Sequence, residues 1–205
     1  MVKRAAQVVS IVFHPLLLST YLVLVLGYFL PGMLKIDQRK LTYVAAFVFV
    51  FTFLMPVINL IMLRSFKTIR SLTLDSREER LFPFTLITII YGLVAFLFYY
   101  KLPFSNDFNK LMFIIFVLVL ASLIFTFFSK ISIHSIAMAG GVGILLPLNK
   151  AQDEPTLLLP TVVLIALAGL VMSARLVLGA HTLREVLHGA LVGFVIGFSG
   201  IMLLF

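Results

Sequence analysis

The 205-residue chain has no cysteine and no tryptophan, and only 12% of its residues are charged. The missing cysteines exclude disulfides and thiolate metal sites, and they remove redox chemistry as a guide to compartment. Without tryptophan, any aromatic belt at a membrane interface falls to Tyr and Phe. Acidic side chains are scarce: eight Asp plus Glu stand against sixteen Lys plus Arg, for a formal charge of +8. No polar stretch is long enough to fold as a second domain. What remains is apolar, with 62% hydrophobic residues and a mean hydropathy of +1.18. A soluble domain sits near 45–50% apolar and about 25% charged, so one globular core cannot hide this much apolar surface. The expectation is an all-α, polytopic transmembrane bundle of about seven spans, forming a single domain over residues 1–205. In a soluble chain, +8 would point to nucleic acid. In a membrane protein it points to basic loops at anionic lipid surfaces or to a site for an anionic substrate, with membrane lipids rather than nucleic acid as partners.

A span needs roughly 20 apolar residues. The basic start, Lys3-Arg4, resembles a signal peptide, but the apolar run to Leu30 is too long for one, so it reads as the first span. The predicted spans are Val9–Leu30, Leu41–Leu63, Phe82–Tyr100, Leu111–Ser129, a short glycine-bearing Ile136–Leu148, Thr156–Leu178, and a last one running to Phe205. His14, near the start of the first, reads as structural or interfacial, because nothing near it in sequence offers a partner. Gly140, Gly141 and Gly143 predict close packing of the short span. Alternation puts the N-terminus, the 64–81 segment, Lys130–Ser135 and Arg175–His188 on one side. Counting all basic residues puts that side in the cytoplasm. Setting aside Arg77, Arg80, Lys130, Arg175 and Arg184, which chemistry also wants, leaves the orientation open.

Ionisable groups at membrane depth are costly and default to functional candidates. Three clusters qualify, all on that one side. The first is Arg70 to Pro83, with Arg70, Arg77 and Arg80 as donors for a phosphate. It also reads as an ordinary cytoplasmic basic loop, with Ser76 and Glu79 as a capping box opening a helix. The second is Lys130-Ile-Ser132-Ile-His134-Ser135, whose bland reading is a snorkelling lysine and a histidine bonded to a backbone carbonyl. The third runs from Ser173 to His188. His181, Glu185 and His188 at i, i+4 and i+7 share a helix face, so Glu185 can hold one imidazole nitrogen of His181 and leave the other to attack. Gly179 predicts a helix break, which places His181 just before a helix N-terminus, where an anion is favoured. Two other readings compete: Thr182 with Glu185 is also a capping box, and His181, Glu185 and His188 can be metal ligands. The arginines argue against a cation.

At this spacing, Arg175-x5-His181-x3-Glu185 resembles the third motif of the type 2 phosphatidic acid phosphatase family, S-R-x5-H-x3-D. Ile131-Ser132-Ile133-His134 resembles the second motif, P-S-G-H, and Arg70-x6-Arg77 has the spacing of the first, K-x6-R-P. The order along the chain also agrees, over roughly residues 70–190, with a phosphatase-like core of about 64–205. The departures are Glu185 for Asp, Ala174 for Ser, Ile133 for Gly, Ile131 for Pro, and Pro83 after Arg80 rather than a proline after Arg77. The resemblance implies a metal- and cofactor-independent hydrolase of lipid phosphates or polyprenyl diphosphates, acting through a phosphohistidine in a cell membrane, the bacterial inner membrane being the expected one. Carried over by position, it makes His181 the nucleophile, Glu185 its orienting carboxylate and His134 the general acid. Arg175, Arg77, Arg80, Lys130, Ser132 and Arg70 would hold the phosphate.

Two other functions fit the same composition. An anion channel or transporter requires polar residues spread along several spans to the midplane, and spans two, three and four are nearly free of ionisable groups. A catalytically inactive relative that binds a lipid headgroup is kept open by Ile133 and Glu185. The sequence names neither the lipid nor the oligomeric state.

Overall fold

The computed structural model describes residues 1–71, 74, 77–102, 104–150 and 156–205, with Lys150 by backbone alone. The described residues form helices and no strand. Ser76, half of the expected capping box, lies outside them, as do Asp153 to Pro155 between the expected fifth and sixth spans.

Proline sets the breaks in the first two spans. The first begins earlier than expected, with α1 at Val2–Val12. Pro15 cannot donate a backbone N–H and disfavours helical geometry at the residue before it. His14 is accordingly extended (φ −64°, ψ 137°). A short 3-10 turn, Pro15–Leu17, follows, and α2 resumes at Leu18–Phe29. After the short α3 (Pro31–Leu34), the second span comprises α4 (Gln38–Phe49), a π-helical turn at Val50–Leu54, and α5 (Met55–Ser65). The π turn has an identifiable cause. Pro56 has no N–H for the carbonyl of Thr52, four residues earlier. The Tyr91 hydroxyl donates to that carbonyl at 2.8 Å instead.

The helix α6 covers Arg77–Tyr100. It starts before the expected Phe82, so Arg77 and Arg80 sit on its opening turns and not in a loop. Three further helices continue the bundle: α7 (Asn106–Phe128), capped by the Ser105 hydroxyl, then α8 (Ile133–Lys150) and α9 (Leu158–Val177). The last, α10, spans Leu183–Leu204. By length and apolarity six helical segments can cross a membrane, and α8 is a shorter apolar helix beside them. The chain is thus an all-α, multi-pass membrane bundle. Its large apolar side chains also point outward, as Leu93, Leu159, Leu191 and Leu203 do. In water such a surface would aggregate; against lipid it is the expected one.

One helix contact places the site. On α10, Gly189, Gly193 and Gly197 recur every four residues and so line one face. A Cβ on Gly189 would lie 2.6 Å from the Ser132 carbonyl oxygen of the α8 entry. On Gly193 and Gly197 it would strike the carbonyls of Ile136 and Gly140. From the other side, Gly143 abuts the Phe194 and Phe198 backbone. The helices α8 and α10 therefore pack backbone to backbone, as small-residue stripes allow in membranes. Close packing of the short helix is as expected; the stripe on α10 is the part that sequence reasoning missed, although its period is plain in the sequence. The contact brings the N-termini of both helices together, and the Ser132 N–H donates to the Glu185 carbonyl at 3.3 Å.

Candidate active site

The turn between α9 and α10 is built by two caps. At the end of α9, the Gly179 N–H bonds the Leu176 carbonyl (2.9 Å) and the Ala180 N–H bonds the Arg175 carbonyl (3.2 Å). This is a Schellman closure, and it requires a left-handed residue, which Gly179 supplies at φ +64°. At the start of α10, the Thr182 hydroxyl accepts from the Glu185 N–H, and the Glu185 carboxylate accepts from the Thr182 N–H, both at 3.3 Å. On a continuous helix Arg175 and His181 would point apart. The reversal of direction at Gly179 turns them toward the same space.

Glu185 combines the two roles that had seemed to compete. The carboxylate oxygen that closes the capping box, Oε2, lies 2.7 Å from His181 Nδ1. A carboxylate only accepts, so His181 donates from Nδ1 and its Nε2 is left as a lone-pair nitrogen. The His181 side chain is 3% exposed. Burial pushes its pKa down to about 4; the bond to Glu185 pulls upward, and the charges of Arg80 and Arg175 push further down. At neutral pH the ring is neutral and Nε2 is a base.

The second cluster approaches from the entry of α8. His134 Nε2 donates to the Ser10 carbonyl at 3.1 Å. That carbonyl is one of the orphans left where α1 stops short of Pro15. The bonded-histidine reading of His134 is thus met, and the bond leaves the ring's other nitrogen unengaged by it. Ser132 is fully buried and caps α8: its oxygen accepts from the Ser135 N–H (3.4 Å) and from the Ser135 hydroxyl (2.8 Å).

The arginines of the first cluster divide. Arg80 is buried at 6% exposure; its Nε donates to the Leu74 carbonyl (2.7 Å) and its Nη1 to the Ile131 carbonyl (3.5 Å). Arg77 is exposed, and its guanidinium donates to the Phe127 and Phe128 carbonyls (2.7 and 3.4 Å), capping the C-terminus of α7. Arg70 is exposed and pairs with Glu79 at 3.7 Å.

Arg80, His134, Arg175 and His181 line one cavity of about 150 Å³. Two segments far apart in sequence complete its walls. His14 enters from the proline break of the first span, and Phe84, Ile87, Thr88 and Tyr91 continue the lining along α6 from Arg80. The His14 and His134 rings meet edge to face with centroids 5.6 Å apart. Of the residues expected to hold a phosphate, Arg80 and Arg175 are in this lining; Arg70, Arg77, Lys130 and Ser132 are not. His14, read from sequence as structural, does cap its turn, yet it also faces the cavity. The signal that would have found it is an ionisable residue inside an apolar run. His188 is exposed, and among the described residues no three His, Cys, Asp or Glu side chains gather as metal ligands.

Comparison with family models, with curated proteins and with solved structures found no match for this chain.

Proposed function

We propose that the protein is an integral membrane phosphatase acting on a lipid phosphate or polyprenyl diphosphate, through a phosphohistidine on His181. The observation that carries this is the convergence of Arg80, Arg175, His134 and the His181–Glu185 pair on one cavity whose lining is otherwise mostly apolar.

Phosphoryl transfer asks chiefly for positioning and charge neutralisation. Arg80 and Arg175 bring two permanent positive charges to the equatorial oxygens, in a partly dehydrated site where such charges act strongly. His181 Nε2 attacks phosphorus as the P–O bond to the leaving group breaks. With the anionic substrate bound, His134 is the imidazolium, its Nε2–H held by the Ser10 carbonyl, and it gives its second proton, on Nδ1, to the departing oxygen. A water then attacks the phosphohistidine and gives its proton to His134. The P–N bond breaks, phosphate departs, and both rings return to their starting state. Glu185 holds Nδ1–H throughout and stabilises the positive charge that develops on the His181 ring. The added methylene relative to Asp does not keep the carboxylate from the ring, which it meets at 2.7 Å. The largely apolar lining of the cavity suits a substrate whose phosphate is tethered to a hydrocarbon chain in a cell membrane.

The test is phosphate release from a panel of lipid phosphates and diphosphates in the presence of a chelator, wild type against His181→Ala, with folding checked by thermal unfolding in detergent. Release by the wild type and its loss in the variant are expected. Equal turnover by a folded His181→Ala protein would refute the proposal, and tight lipid-phosphate binding without turnover would replace it with a headgroup-binding role.

A further inference from the structure

His14 belongs to the first span, outside the three clusters that carry the proposed chemistry, yet it lines the same cavity. Its tautomer can be read from its hydrogen bond. The Leu16 N–H donates to His14 Nδ1 at 3.3 Å. An accepting nitrogen carries no proton, so the neutral ring carries its proton on Nε2. Nδ1 is turned back against the ring's own backbone, and Nε2, on the far edge of a five-membered ring, is therefore turned away from it. The ring is locked further by Pro15, which keeps His14 extended, and by edge-to-face contacts with Phe53 (6.2 Å) and His134 (5.6 Å). A donor held this way loses little freedom on meeting an acceptor. Arg80 and Arg175 make the cavity a place for an anion.

We propose that His14 is a further phosphate-binding residue of this site, donating from Nε2 to an oxygen of the anion held by Arg80 and Arg175. The inference rests on the proposed function only in placing a phosphate in the cavity. It gives the first span a part in recognition. The proline break then serves the site twice, by freeing the Ser10 carbonyl for His134 and by turning His14 inward.

The test separates the two nitrogens. In His14→Asn the side-chain oxygen takes the place of Nδ1 and can still cap the turn, but no donor reaches the place of Nε2. In His14→Gln the amide nitrogen reaches the place of Nε2. The probe is inorganic phosphate, its binding measured by titration calorimetry on the purified full chain in detergent, with thermal unfolding as the check on folding. Wild type should bind; His14→Asn should bind about tenfold more weakly or worse, the scale of one hydrogen bond to a charged group; His14→Gln should recover most of the loss. Binding by His14→Asn equal to wild type would reduce His14 to a cap and overturn the proposal. Equal weakening in both variants would overturn the assignment to Nε2, and a wild type that binds no phosphate would overturn both the proposal and the function it rests on. Wild-type binding without turnover, weakened in His14→Asn, would sink the phosphatase reading alone and leave His14 in place.

Discussion

Replacing Gly193 by Ala adds a single methyl group, and the structure says where it goes. The new Cβ would strike the Ile136 carbonyl oxygen and lie 2.8 Å from both the Cα and the carbonyl carbon of Ile136. Carbon atoms rest about 3.5–4.0 Å apart, so α10 must withdraw from α8 by about 1 Å. The obstacle is backbone, which has no rotamer to change. Overpacking of this kind costs about 1–3 kcal/mol. The displacement also acts on function, because His134 opens α8 and His181 with Glu185 opens α10. A misplacement of about 1 Å between reacting groups can cost about a hundredfold in rate. The assay is phosphate release together with the thermal unfolding midpoint in detergent. Gly169→Ala on α9 is the control, since nothing lies within 4 Å of its added Cβ; it should keep full activity. A Gly193→Ala protein with wild-type midpoint and wild-type turnover would refute the claim that the α8–α10 contact sets the site.

Further outcomes follow from the hydrogen bonds. Arg80→Ala should lower turnover by about a hundredfold or more, the scale of losing a preorganised donor. Arg77→Ala should leave turnover near wild type and cost about 1 kcal/mol of stability, since it removes only a cap on the carbonyls of Phe127 and Phe128; the opposite ranking in a side-by-side assay would reassign the pair. Glu185→Gln should lower turnover by about a hundredfold through loss of the carboxylate that steadies the charged ring. His181 has a folded pKa of about 4, below its ordinary 6.5. Its attacking form is therefore complete above pH 6 and is lost as pH falls through 4. Glu185 raises that pKa, so the acid limb of the pH–rate profile should move lower in Glu185→Gln, and a limb that moves upward would contradict the assigned contact.

The readings that survived were those decided by neighbours along the chain. Membrane character followed from composition. The break at Gly179, and the pairing of His181 with Glu185, followed from turn chemistry and the i, i+4 geometry of a helix. Even there, sequence posed capping and histidine orientation as rivals, and only coordinates show one oxygen, Oε2, doing both. The hydropathy span of α6 starts too late because its first turns are polar and hydropathy does not register a polar helix end; the capping-box reading alone opened a helix at Arg77, where α6 begins. The same error left Arg70, Arg77 and Arg80 looking interchangeable. Their separation depends on which of them meets the carbonyls at the C-terminus of α7, a partner distant in sequence.

Sequence alone determined that this chain is an α-helical bundle in a membrane, because lipid forces every backbone polar group to be satisfied within its own segment and so makes hydropathy a direct record of the spans. It also brought His181 and Glu185 within reach of each other, because a helix turn joins residues four apart. Only the tertiary structure decided which charges share a cavity. It admitted Arg80 and His14, and left Arg70, Arg77, Lys130 and Ser132 outside the lining. The physical reason is that helix contacts in lipid are chosen by close fit, here by glycines that let α10 rest on the backbone of α8, and no single segment contains that fit.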